Sequence, residues 1–138
     1  MRGHASFLAV SLLSTAQAAC AAPAAPAVSL SVPVECEIGV ECLIQKYYDM
    51  DAGPGRSDHR CGAMTTDGHD GIDFRVRTRA DMARGVAVVA AADGVVLRVR
   101  DGEPDISVKL RGSTGGRDAG NAVILRHPDG SETQYSHL

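Results

Sequence analysis

Beyond residue 67 the chain is organised by short alternating runs rather than long amphipathic stretches. Ile72, Phe74 and Val76 alternate with Asp73, Arg75 and Arg77, the period of two that a half-buried strand requires. Residues 86–91 are apolar on both faces, and Asp93-Gly94 then turns the chain into residues 95–100, where Val95, Leu97 and Val99 are expected to face inward. Residues 106–110 form another short strand candidate. Residues 121–126 and 132–137 flank Pro128-Asp129-Gly130, a strong hairpin signal. Only residues 80–84 suit a helical turn. The pattern predicts a mainly β fold with an antiparallel sheet core, and no internal repeat is visible.

The first 67 residues read differently. Residues 43–48 suit a strand or a short helical turn, Asp51-Ala52-Gly53-Pro54-Gly55 is a turn cluster, and residues 56–68 have the polarity of a loop. Residues 19–33 are Ala, Pro and Ser with a few aliphatics, the composition of a tether. Residues 1–18 have the layout of an export signal: Arg2, a short apolar core from Phe7 to Leu13, and small residues at Ala16 and Ala18. That core is too short to span ~30 Å of hydrocarbon as a permanent helix. The expected division is a signal peptide at 1–18, a linker at 19–33, a cysteine-containing lead-in at 34–67 and a sheet core at 68–138. The expected location is the periplasm or the cell exterior. Cys20 raises the option of a lipid anchor, but Gln17 stands where a lipoprotein signal prefers an aliphatic residue.

Composition narrows the picture further. About 105 residues follow the linker, so one modest core is all the chain can build. Trp is absent and aromatics make up 4%, so Val, Ile, Leu and Ala must fill that core. The formal charge is −3, and loss of Arg2 with the signal makes it more negative. Neither nucleic acid nor anionic lipid is an electrostatically favoured partner. In an exported protein Cys36, Cys42 and Cys61 are better disulfide partners than catalytic thiols. Counting Cys20, three pairings are open, and no C-x-x-C pair points to a cysteine zinc site.

Candidate chemistry concentrates in Asp67-Gly68-His69-Asp70-Gly71-Ile72-Asp73. His69 and Asp73 offer a nitrogen and a carboxylate ligand four residues apart, and a straight strand would hold them ~13 Å from each other. A bend at Gly71 would bring them together. Alone, such a pair is usually two solvated side chains on a loop. Tyr135-Ser136-His137-Leu138 is the second segment. Tyr135 and His137 share strand parity, and an imidazole there could move a proton near neutral pH. A lone histidine of this kind is more often hydrogen-bonded structure.

Taken together the motifs are specific. The order is H-D-G-I-D, then Gly85-Val86-Ala87-Val88-Val89-Ala90 with Gly94-Val95, then Gly120-Asn121-Ala122-Val123-Ile124, then His127-Pro128-Asp129-Gly130, then Y-S-H-L. Over residues 68–138 this resembles the lysostaphin-like, LytM-type peptidoglycan metalloendopeptidases. The resemblance implies a zinc cofactor, His69 and Asp73 as metal ligands, and His137 as a catalytic histidine. It implies hydrolysis of peptide bonds in peptidoglycan stem or cross-link peptides. The family's third ligand lies in a later H-x-H motif, which residues 1–138 do not contain. The expectation is therefore a chain truncated after Y-x-H-L, with an incomplete sheet, doubtful activity and poor solubility alone. Relatives with a similar lead-in carry cysteine where Ala119 and Ser136 stand, which implies loss of one disulfide.

Other residues take plainer roles. His127 is expected to be structural at a strand end, His59 to sit in a polar loop and His4 to leave with the signal. Asp70 is expected beside the site or facing solvent, and Arg75, Arg77, Arg98 and Arg100 on solvated strand faces. The rival function is a non-catalytic cell-wall-binding or hydrolase-regulating module derived from the same family. A small disulfide-bonded structural protein explains the cysteines but leaves the motif order to coincidence.

Overall fold

The computed structural model describes residues 27–112 and 115–138. The signal peptide at 1–18, the start of the linker and Cys20 lie outside the described residues. The described chain is mainly β, with two small antiparallel sheets and little helix. Among the described residues no helix is long and apolar enough to cross a membrane.

The first sheet joins the lead-in to the site. Strand β1 (Cys42–Lys46) pairs antiparallel with β2 (Asp73–Val76), setting Ile44 opposite Phe74 and Lys46 opposite Asp73. A bulge between Ile44 and Lys46 inserts Gln45, which bends β1 as it leaves the sheet. Cys42 is the most buried side chain among the described residues at 1% exposure, and it forms a disulfide with Cys36. Cys61 keeps a free, exposed thiol. One pairing is thus settled that spacing left open.

Helix α1 (Arg79–Arg84) comes directly after β2. Thr78 starts it with a capping box, its hydroxyl accepting from Asp81 N–H while the Asp81 carboxylate accepts from Thr78 N–H. Gly85 ends it at φ 76°.

The second sheet has the order β3-β4-β5, from β3 (Val95–Arg100), β4 (Ala122–Arg126) and β5 (Glu132–Ser136). β4 and β5 form the expected hairpin, in continuous register from Ala122–Ser136 to Arg126–Glu132. The turn closes through Gly130 N–H to His127 C=O, with Gly130 at φ 87°.

Three expectations about elements need correction. Val95 and Val99 do not face inward; they are 74% and 63% exposed. A bulge between Val96 and Arg98 breaks the alternation at Leu97, so Leu97 and Arg100 are the half-buried positions. Residues 106–110 give no strand; the chain there holds the single helical turn α2 (Val108–Arg111). Residues 86–91 are not a strand of either sheet. They run against residues 31–35, through Ser31 N–H to Ala91 C=O, Val89 N–H to Pro33 C=O and Glu35 N–H to Ala87 C=O. The last part of the linker is therefore docked rather than free.

Among the described residues, Cys42, Ala91, Ala122 and Leu125 are the buried apolar ones. Burial of polar groups adds to this thin core. His127, 3% exposed, faces the Asp93 carbonyl through Nδ1 and the Thr133 hydroxyl through Nε2. The Thr133 hydroxyl also meets the Tyr135 hydroxyl, which accepts from Ala91 N–H. The expected structural role of His127 has its physical basis in these contacts. Gly94 is required beside it, because a Cβ would stand 2.8 Å from the Arg126 carbonyl oxygen.

Candidate functional site

The site grows from the point where β1 leaves its sheet. Past the bulge, Tyr47 donates its N–H to the Met64 carbonyl, so residues 47–49 run beside residues 64–69. The Tyr47 carbonyl accepts from the Thr65 hydroxyl at 2.7 Å and lies 2.7 Å from His69 Nδ1. A carbonyl oxygen only accepts, so Nδ1 carries a proton.

That assignment decides what the other ring nitrogen can be. His69 Nε2 lies 3.2 Å from Asp73 Oδ1. Either Nε2 is protonated too, giving an imidazolium–carboxylate pair, or its lone pair faces an anionic oxygen and a cation between them would relieve the repulsion. Two ligand atoms at ~2.0–2.1 Å from a tetrahedral zinc are ~3.3 Å apart. The observed separation suits a direct hydrogen bond and a shared metal ion alike. The imidazole is 17% exposed and the carboxylate 46%, so the pair is open to solvent on one side.

The chain does bend at Gly71 between the two residues, but Gly71 is not in the left-handed region. The positive φ falls one residue before His69, at Gly68, with φ 69°. Asp70 is exposed.

Two buried carboxylates that sequence reasoning passed over hold the loop around the pair. Asp49 accepts from the N–H groups of Ser57, Asp51 and Gly68. Those bonds, the one from Ser57 foremost, keep its carboxyl below the usual range, against the opposing effect of burial. Asp58 accepts from Arg60, Gly62 and Met64, and the bonds from Gly62 and Arg60 lower it likewise. Aspartate's affinity for nearby backbone N–H groups in turns was the one available signal, and it does not say which aspartate. His59 is exposed, with its ring edge-on to Tyr47 at 4.4 Å between centroids.

His137 sits elsewhere. It lies just past β5 in the second sheet, is exposed, and has φ 60°. The left-handed turn ends the strand alternation, so the parity shared with Tyr135 does not set its direction. Its Nδ1 is 3.4 Å from where a Gly120 Cβ would lie, and its N–H donates to the Ala119 carbonyl. Asn121 braces this end by donating to the Leu138 carbonyl and by bonding both backbone groups of Glu103. Among the described residues no group of three or more His, Cys, Asp or Glu side chains is arranged to hold a metal. The structure thus brings His69 and Asp73 together and does not add His137 to them. No family model, curated protein or solved structure matches the chain.

Proposed function

We propose that the chain carries part of the zinc centre of a lysostaphin-like peptidoglycan metalloendopeptidase, with His69 and Asp73 as two of its ligands. One observation carries this reading: the Tyr47 carbonyl accepts a hydrogen bond from Nδ1–H of His69 and leaves Nε2 facing Asp73 Oδ1 at 3.2 Å. A carbonyl on the far ring nitrogen is how metal-binding imidazoles are commonly oriented. The pair therefore fits zinc in donor type, separation and tautomer.

Bound zinc supplies Lewis acidity that activates water and polarises a peptide carbonyl. Toward that chemistry, His69 offers a ring fixed in one tautomer, and Asp73 offers negative charge on an accessible face. The motif resemblance alone proposes His137 as a proton-carrying group, since the structure does not bring it to the His69–Asp73 pair. The substrate class, peptidoglycan stem or cross-link peptides reached after export, comes from the motif resemblance. A catalytic zinc needs three protein ligands; His69 Nε2 and Asp73 Oδ1 lie 3.2 Å apart, and no group of three or more such side chains is found among the described residues. The second reading is a cell-wall-binding or hydrolase-regulating module derived from the same family.

Metal titration and sacculus digestion separate these readings. Calorimetry with Zn²⁺ on residues 1–138 should give one site per chain, weakened at least about 100-fold in His69→Ala and in Asp73→Ala. A wild-type chain that takes up no zinc, or a His69→Ala chain that binds as well, removes the metal-site reading. Zinc-dependent release of peptides from sacculi supports the peptidase. Co-sedimentation with sacculi and no released peptide supports the binding module.

A further inference from the structure

We infer that Asp49 is a positioning residue for His69, its buried carboxylate fixing the backbone on which the imidazole is mounted. The inference rests on the zinc-ligand reading of His69. Asp49 is 6% exposed and lies three residues past β1. Its Oδ2 accepts from Gly68 N–H at 2.9 Å, and its own N–H donates to the His69 carbonyl at 2.8 Å. One residue thus grips the chain on both sides of His69. The Tyr47 carbonyl, two residues earlier, holds the ring itself at Nδ1. With the backbone gripped twice and the ring once, the imidazole has one orientation, and that orientation aims Nε2 at Asp73.

A carboxylate is the group this site needs. Oδ1 accepts from Ser57 at 2.9 Å and from Asp51 at 3.1 Å, while Oδ2 serves Gly68. An asparagine can supply one oxygen only, and its NH₂ would oppose whichever N–H group it met. Asp49→Asn therefore either frees Gly68 or frees the loop at 51 and 57. Asp58 supplies the control. It clasps Arg60, Gly62 and Met64 with the same geometry but makes no bond to residues 68 or 69.

The experiment uses ¹⁵N-labelled chain of residues 1–138 in wild-type, Asp49→Asn and Asp58→Asn forms. Three quantities are read: Zn²⁺ affinity by calorimetry, the imidazole ¹⁵N shifts of His69 without metal, and the urea midpoint. Asp49→Asn should weaken zinc by about 10–100-fold and mix the His69 tautomers, as loss of an orienting partner does. Asp58→Asn should lower the urea midpoint while leaving zinc affinity and tautomer as in wild type. Unchanged tautomer and affinity in Asp49→Asn, or losses that merely track the midpoint as in Asp58→Asn, overturn the inference. Should Asp49→Asn not fold, hydrogen exchange on the wild type decides: a Gly68 amide as fast as exposed loop amides overturns it, and a protected one supports it. A wild type without zinc affinity defeats the metal-site reading, and the tautomer comparison still decides the role of Asp49.

Discussion

Gly68 has φ 69° and no heavy atom within 4 Å of where a Cβ would stand. A side chain there meets backbone strain rather than collision, at a cost of about 1–2 kcal/mol. Gly71 has equally open space but a φ outside the left-handed region. There a Cβ restricts the unfolded chain without disturbing the folded one, worth about 0.4–1 kcal/mol in favour of folding. Gly68→Ala should therefore lower the urea unfolding midpoint, and Gly71→Ala should hold or raise it. Equal losses at the two positions would show that the Gly71 bend also depends on glycine. This difference was hidden in the sequence, where both glycines flank His69 within two residues. Spacing alone favoured two solvated side chains for His69 and Asp73, and only the ordered motifs singled the pair out. The Tyr47 carbonyl and the Asp49 carboxylate were not legible, because backbone acceptors leave no residue-type signature and a buried aspartate looks like any loop aspartate.

Elements were legible where one face alternates cleanly. The β4–β5 hairpin is set by its Pro-Asp-Gly turn, and β2 by Phe74 and Val76. β3 was placed correctly along the chain, but the residue inserted at Leu97 takes Val99 and Arg100 out of the expected alternation, and Val95, ahead of the bulge, is exposed as well. Residues 86–91 carry strand-like composition, yet their partner is the 31–35 segment rather than a sheet strand, and composition does not name a partner. The lead-in is tied down by the Cys36–Cys42 disulfide, which closes a loop of six residues' separation at the head of β1. Cross-linking so short a loop is worth about 2 kcal/mol through the entropy of the unfolded chain. The paired Cys36→Ser and Cys42→Ser variant should lose roughly that stability in urea, and more if the hydroxyl introduced at the buried position 42 finds no partner. Because β1 leads directly into Tyr47 and Asp49, zinc binding at the proposed His69–Asp73 site should weaken along with the loss. An unchanged midpoint would mean that the β1–β2 pairing holds the lead-in without the cross-link.

Across the whole molecule, carboxylates take over part of the work that a small core leaves undone. Asp129 joins the two ends of the described chain: its Oδ2 accepts from Val28 N–H at 3.0 Å, and its Oδ1 accepts from the Ser131 hydroxyl and N–H. The Ser131 hydroxyl foremost, then Val28 N–H, hold its pKa down to about 2 from 3.8. Asp49 and Asp58 are depressed by their own loop amides. A carboxyl whose pKa is lower folded than unfolded binds more protons when unfolded, so it stabilises the fold above its unfolded pKa. That contribution is intact above about pH 5, begins to fall near 3.8 and is gone once the pH passes below the folded value. The urea midpoint should stay level from pH 7 to about 5 and drop steeply between about 4 and 2. Asp129→Ala should start from a lower midpoint and fall less over that acid range, since one of the protons driving the loss has no site to occupy. The docked 28–35 segment should open before the sheets do, read as faster amide exchange at Val28, Ser31 and Glu35 near about pH 3 than at about pH 6 after correction for intrinsic rates. Parallel acid curves for the wild type and Asp129→Ala would show that this carboxylate is not what fastens the segment to the hairpin.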